Sequence, residues 1–270
     1  MDCLSRIAFA LALLAGFRVE YGRPAVSFDL YQSLLRVAVK GSAVDYAQLT
    51  RDRPVLDSAV ASFNAPETFA EPSWTRAERL AFWINAYNAF TIAAVVDHYP
   101  IRGRWFSLAP GNSIRQIDGV WTKLKWKAAG REVTLDGIEH GILRPTFEDP
   151  RVHFAINCAS KSCPPIHAEA YVANRLDAQL DDAARRYLAS PFGVQTSAAR
   201  LKVSSIFKWY GDDFVARFAA TIDRHRADRD RAILGVIAAY GPPDAATLAR
   251  SGTARIEFLS YDWSLNDRAR

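Results

Sequence analysis

The residues with the most chemistry fall in one stretch, Arg151-Val152-His153-Phe154-Ala155-Ile156-Asn157-Cys158-Ala159-Ser160-Lys161-Ser162-Cys163-Pro164-Pro165-Ile166-His167. It packs two Cys, two His, an Asn, a Lys and two Ser into seventeen positions at the exit of an apolar run. Functional groups favour loops held by a rigid scaffold. Three chemistries compete for these residues. As a reactive thiol, Cys158 is the nucleophile, and Lys161 with a nearby His lowers its pKa. His153 or His167 then serves as general base, Asn157 orients it or donates to an oxyanion, and Arg151, Lys161 and His167 line the pocket. As a staple, Cys158 and Cys163 form a disulfide that closes a small loop and contributes about 2–3 kcal/mol in the chain-entropy picture. As a metal site, His153, Cys158, Cys163 and His167 are the residue types zinc takes, yet their spacing matches no standard zinc pattern. Alternation along a strand would also set His153 and Cys158 on opposite faces. No metal and no cofactor are expected.

Two further segments could face the same pocket. Glu78, Ala81, Asn85 and Asn88 share one face of an otherwise apolar helix. A buried Asn costs free energy unless it is fully hydrogen-bonded, so this seam either braces a neighbouring backbone or lines the pocket that Cys158 enters. In Glu139-His140-Gly141-Ile142-Leu143-Arg144, His140 and Arg144 stand at i and i+4 on one helix face. They could contact an anionic group or simply meet solvent.

The elements that carry these residues follow from periodicity and punctuation. A short amphipathic helix starts near Ser27 and ends at Gly41, and a second covers Pro54 to Phe63. Pro66 and Pro72 lie in a loop before a long apolar helix, about 76–98, which Ser73 or Thr75 caps and Pro100 stops. Thr122–Lys127 and Arg131–Thr134 read as a hairpin turning at Ala128-Ala129-Gly130. Asp136 to Glu139 has capping-box spacing and opens a short helix that Pro145 closes. Val152–Asn157 reads as a buried strand, and Ala170–Leu188 as a helix. Phe192–Thr196 and Arg200–Val203 form another hairpin. Helices near 211–221, 227–240 and 243–250 precede a last strand at Arg255–Leu259. Long helices with scattered hairpins, and no βαβ alternation, indicate an α+β fold. The expectation is a helix-rich single main domain with small antiparallel hairpins and a long buried central helix.

The chain has 270 residues, half of them hydrophobic and 23% charged, which excludes a disordered or collagen-like chain and a disulfide-dense miniprotein. Net charge is +5 and the pI about 9.2. Most of the 34 basic residues are Arg scattered among acids, and Lys123, Lys125 and Lys127 alternate with Leu124 and Trp126 as on a wet strand face. That pattern argues against a phosphate-tracking groove, so nucleic acid is not an expected partner. Residues 7–17 are an uncharged apolar run behind Arg6, with the length of a signal-peptide core and too short to span a bilayer. The expectation is export to a periplasmic or secreted location through a leader over 1–22, with Cys3 inside it and no other transmembrane span.

Phe82-Trp83-Ile84-Asn85-Ala86-Tyr87-Asn88-Ala89, Ile138-Glu139-His140-Gly141-Ile142-Leu143-Arg144, Asp149 to Cys158 and Ser162-Cys163-Pro164-Pro165-Ile166 together resemble the signatures of the domain of unknown function 547 family. The resemblance covers roughly 73–189. Ile206 to Phe214 and Phe258 to Asn266 are similar to what often follows that domain. The resemblance implies an often-exported bacterial protein with no settled reaction, substrate or cofactor. It also implies that Asn85, Asn88, His140, Arg144, His153, Asn157 and Cys158 converge on one site. The organisation expected is a leader (1–22), an N-terminal helical segment (27–72), a core domain (73–189) and a C-terminal hairpin and helical extension packed on it (190–270). Two functions are carried forward. One is a thiol-dependent hydrolase or acyl-transfer enzyme acting on a peptide, amide or ester of the cell envelope. The other is a non-catalytic envelope module that binds a small molecule, peptide or partner, with Cys158–Cys163 as a structural disulfide. Oligomeric state has no signature in the sequence.

Overall fold

The long apolar helix begins where a reciprocal cap fixes it. The Thr75 hydroxyl accepts the Glu78 N–H and the Glu78 carboxylate accepts the Thr75 N–H at 2.7 Å, the capping-box arrangement that satisfies two orphan donors. The helix then runs Arg76–Val96, and every residue from Leu80 to Val96 is buried. Having no solvent-exposed face over that length, such a helix is stable only inside a core. The computed structural model describes residues 26–222 and 225–268. The expected leader and Cys3 lie outside the described residues.

Helices Asp29–Ala38 and Arg53–Ser62 pack on the central helix, with Phe63 between them. Its ring meets Tyr31, Phe82 and Phe90 edge-on at 5.5–5.7 Å, and each fully buried ring contributes on the order of 1.5–3 kcal/mol. Two-residue strands Val39–Lys40 and Ala43–Val44 form one hairpin, and Trp126–Ala128 with Arg131–Val133 forms a second. The second turns through Ala129 and Gly130, both at positive φ, as a hairpin turn that matches strand twist requires. The third sheet pairs Val194–Ser197 antiparallel with Arg200–Val203, which also pairs parallel with Arg255–Phe258. It is therefore mixed rather than purely antiparallel.

A second core gathers Phe154, Tyr187, Leu201, Phe207, Phe214, Ile233 and Ile237 around helices Leu176–Leu188 and Asp228–Tyr240. Past the last strand the chain returns to the first core as a strap. Leu265 N–H donates to Asn112 O, Lys161 N–H to Ser264 O, Asn266 N–H to Ala159 O, and Val44 N–H to Asn266 O. The strap thus ties the Cys158 loop to the N-terminal hairpin.

Several expected elements differ. Val152–Ala155 is a helical turn, not a strand. Asp149 accepts the Arg151 N–H on its side chain and the Val152 N–H on its carbonyl, which bends the chain into a turn. A short apolar run cannot by itself distinguish strand from helix. The cap before Asp136 is Thr134, whose hydroxyl accepts the Gly137 N–H at 2.9 Å. Pro145 does not close that segment. Helical backbone continues through a π turn at Glu139–Leu143 to Phe147, with Pro145 second in the last segment, Arg144–Phe147. Pro66–Ser73 is a 3-10 helix rather than open loop, and the later helix starts at Leu176, not Ala170. Among the described residues, no helix is long and apolar enough to cross a membrane.

Candidate functional site

Asn88, fully buried on the central helix, grips the backbone on both sides of Ile156. Its Nδ2 donates to Ala155 O at 2.9 Å and its Oδ1 accepts the Asn157 N–H at 2.8 Å. Asn157 is buried too and holds the next turn. Its Oδ1 accepts the Ala159 N–H at 2.8 Å and its Nδ2 donates to Pro164 O at 2.7 Å. Ala159 sits at φ 59, a left-handed conformation that costs a non-glycine residue energy and persists only where surroundings impose it. Cys158 is thereby presented, half-buried, on the floor of a cleft of about 580 Å³, a size typical of small-molecule sites.

Three groups surround the Cys158 sulfur. Cys163 Sγ lies at 2.8 Å, Tyr261 Oη at 3.2 Å and Ser160 Oγ at 3.3 Å, while the Cys158 N–H donates to Cys163 Sγ. Ser160 also donates to Tyr261 at 2.9 Å. A hydroxyl has one proton, so the chain runs Ser160 to Tyr261 to sulfur. Hydrogen bonding from Cys163 outweighs burial, and with help from Ser160 and Tyr261 it lowers the Cys158 pKa to about 7. Cys163 moves the other way, raised by burial and by the Cys158 thiolate beside it. Both cysteines are thiols in this structure, with their sulfurs adjacent.

The walls come from both cores. Tyr87, Glu139 and His140 line one side, the phenol of Tyr87 donating to Glu139 at 3.1 Å. Glu139 and His140 belong to the π turn, a distortion often found at functional sites. Trp209, Tyr261 and Trp263 form a mutual cluster with ring centroids 4.6–5.8 Å apart, extended by Trp121 and by the Arg115 guanidinium over Trp263. His153 also lines the cleft. Its Nε2 donates to Asp213 at 2.8 Å and its ring stacks on Tyr210 at 4.2 Å. Burial alone would raise the Asp213 carboxyl. Hydrogen bonds from His153 and Arg144 outweigh it and hold the group well below the usual carboxylate range, so His153 Nε2 carries the proton. Arg144 meets Asp213 with two bonds of 2.7 and 2.9 Å and donates to His140 Nδ1 at 2.7 Å. Because Arg cannot accept, His140 Nδ1 is unprotonated.

The expected site residues therefore divide. Cys158, Cys163, His140 and His153 meet in the cleft, and Arg144 borders an adjoining depression with Asp213. Among the described residues, no histidine is hydrogen-bonded to Cys158. Asn157 and Asn88 support the floor from beneath, with their amides spent on backbone. Asn85 lies deeper and holds Tyr171 through Nδ2 to O at 2.9 Å and N to Oδ1 at 3.0 Å. Glu78 is consumed in the helix cap. Arg151 is buried among Asp149, Asp177 and Asp181. Lys161 points to solvent, and His167 bonds the Glu169 backbone. Of the four residues weighed as zinc ligands, His153, Cys158 and Cys163 line the cleft and His167 does not, and among the described residues no group of three His, Cys, Asp or Glu could hold a metal. No local pattern marks Tyr261, Ser160, Asp213 or the aromatic wall as partners. The weak signal was the crowding of polar and aromatic residues in Ile206–Phe214 and Phe258–Asn266.

Residues 72–188 match the family described as Protein of unknown function, DUF547. No curated protein and no solved structure matches the chain. Ile206, Trp209, Tyr210, Tyr261 and Trp263, five of the sixteen residues that line the cleft, lie beyond the matched residues, as does Asp213.

Proposed function

We propose that this chain, a member of the DUF547 family through residues 72–188, is a thiol-dependent hydrolase or acyl-transfer enzyme acting on a peptide, amide or ester. The observation that carries the reading is Cys158 itself, a thiol on the floor of an open cleft whose donors favour the thiolate near neutral pH. Thiolate is the nucleophilic form, and here donors rather than a histidine base generate it. In the reaction, the Cys158 sulfur bonds to the carbonyl carbon and the carbonyl π electrons move to oxygen. Collapse expels the amine or alcohol, which takes a proton from cleft water and leaves hydroxide, because the one proton on His153, at Nε2, is held by Asp213. Water or a second acceptor then gives a proton to the other ring nitrogen of His153 and attacks the thioester; collapse releases the thiolate, and the imidazolium returns its proton to the hydroxide. Asn157, assigned from sequence as orienter or oxyanion donor, acts here as a positioning residue for the Cys158 turn. The apolar run at 7–17 supports a workplace in the cell envelope, periplasmic or secreted.

The aromatic wall favours a second reading, a non-catalytic envelope module that holds a flat or ring-bearing ligand by stacking. A panel of p-nitrophenyl esters, thioesters and anilides separates the two. The enzyme reading expects an acyl adduct on the tryptic peptide bearing Cys158 and turnover abolished by Cys158→Ala but retained by Cys163→Ser. Turnover equal in wild type and Cys158→Ala, or no adduct with any member, would overturn it in favour of the binding module.

A further inference from the structure

The ten residues from Arg102 to Gly111 form a protruding loop that has no part in the cleft. Its neck is made by backbone contact between two glycines: a Cβ on Gly103 would lie 2.7 Å from Gly111 Cα, so no larger residue fits without moving the chain. Buried Gln116 clamps both arms. Its Nε2 donates to Ala109 O at 2.9 Å and Pro110 O at 3.1 Å, and its Oε1 accepts the Arg104 N–H at 3.1 Å. Inside the loop, Ser107 N–H donates to Arg104 O and Ser107 Oγ accepts the Ala109 N–H. The fold thus builds an ordered turn.

That turn holds its apolar side chains in water. Trp105 is 95% exposed, Phe106 75% and Leu108 106%, whereas exposed large apolar residues are ordinarily scattered singly. Within the loop the charge has one sign: from His98 to Ile117 the sequence contains Arg102, Arg104 and Arg115 and no Asp or Glu, with Asp97 and Asp118 flanking that stretch. Asp118 has its pKa lowered chiefly by the hydrogen bond from Lys123 and also by Arg104. An apolar apex above a cationic base matches the layering of a bilayer surface, where Trp and Phe enter the headgroup–acyl boundary and Arg meets lipid phosphates. A flat or grooved face would suit a folded protein better than this convex tip does.

The geometry points to the 102–111 loop as a docking element for an anionic lipid surface. The same segment continues to Arg115 in the cleft wall, so docking brings the cleft to the membrane surface. This inference stands whether or not Cys158 is a nucleophile.

The test uses the full chain with vesicles of phosphatidylcholine, with and without phosphatidylglycerol, and with brominated lipid as quencher. Trp105→Phe keeps the apolar tip but removes the one tryptophan placed there. The emission quenched by brominated anionic vesicles in wild type should be missing from Trp105→Phe, and residues 1–25 contribute nothing to it because they contain no Trp. Arg102→Gln/Arg104→Gln should weaken binding to anionic vesicles about thirtyfold at low salt. Trp105→Ser/Phe106→Ser/Leu108→Ser should abolish the tip-dependent quenching. Equal quenching in wild type and Trp105→Phe would overturn the inference, as would equal binding by wild type and the arginine variant. Self-association lost in the triple-serine variant, without lipid quenching in wild type, would overturn it in favour of a protein contact.

Discussion

Replacing Tyr261 by Phe removes one hydroxyl and leaves the ring on Trp209 and Trp263, at 4.8 and 4.6 Å. The lost hydroxyl donates to the Cys158 sulfur from 3.2 Å. A hydrogen bond to a charged group is worth about 1.5–3 kcal/mol. Since about 1.36 kcal/mol corresponds to one pH unit, the Cys158 midpoint should rise from about 7 by about 1–2 units. Ser160, released from Tyr261, can turn its hydroxyl to the sulfur 3.3 Å away, which sets the lower end of that range. At pH 7 the thiolate fraction then falls from about a half to between about a tenth and a hundredth. The assay is the iodoacetamide alkylation rate against pH, read by mass spectrometry. Lys161 lies between the two cysteines, so trypsin separates Cys158 from Cys163 and each is followed alone. A midpoint in Tyr261→Phe within a few tenths of wild type, with the melting temperature unchanged, would refute the claim that Tyr261 sustains the thiolate.

Asn88→Ala strips partners from the buried Ala155 carbonyl and Asn157 N–H, and should cost about 2–5 kcal/mol in urea denaturation; a loss under 1 kcal/mol, within the ordinary noise of a surface change, would contradict the bracing role. Arg151→Gln leaves Asp149 buried and short of its main partner, at about 3–5 kcal/mol. Arg217, 3.1 Å from Asp149, should hold the measured loss near the lower figure. Asp213 has a lowered folded-state pKa. Its contribution to stability is present above the unfolded value of about 4 and lost as pH falls below it. Melting temperature should therefore drop more steeply below about pH 4 in wild type than in Asp213→Asn, and parallel curves would count against the pairing with His153 and Arg144.

The parts of this molecule written locally were legible. The central helix announces itself by a cap at Ser73 or Thr75 and a largely apolar run, and the second hairpin by Ala129-Gly130. The fold class and the match of residues 72–188 to the DUF547 family follow from such local patterns. Val152–Ala155 departs from the expected strand because the six residues Val152–Asn157, four of them apolar, are too short a run to carry a period, and the Asp149 side chain that bends them acts from outside the run. Asn85 and Asn88 were visible as polar residues in an apolar helix, yet which backbone each one holds depends on segments dozens of residues away. The Cys158 environment is the extreme case. Tyr261 lies 103 residues further along the chain and Asp213 lies 60 from His153, and no spacing rule connects side chains that meet only after two cores have packed.

The strap bearing Tyr261 also sets an order of events during synthesis. At about 5–20 residues per second, the ribosome needs roughly 5–20 s to pass from Cys158 to Tyr261, 103 residues apart. Throughout that interval the nascent chain lacks the phenol that donates to the sulfur. Ser160 is present but has no Tyr261 to relay through, and the aromatic wall has no Tyr261 or Trp263. The thiol therefore acquires its full acidity only when the strap folds back over an otherwise finished cleft, and reactivity comes last.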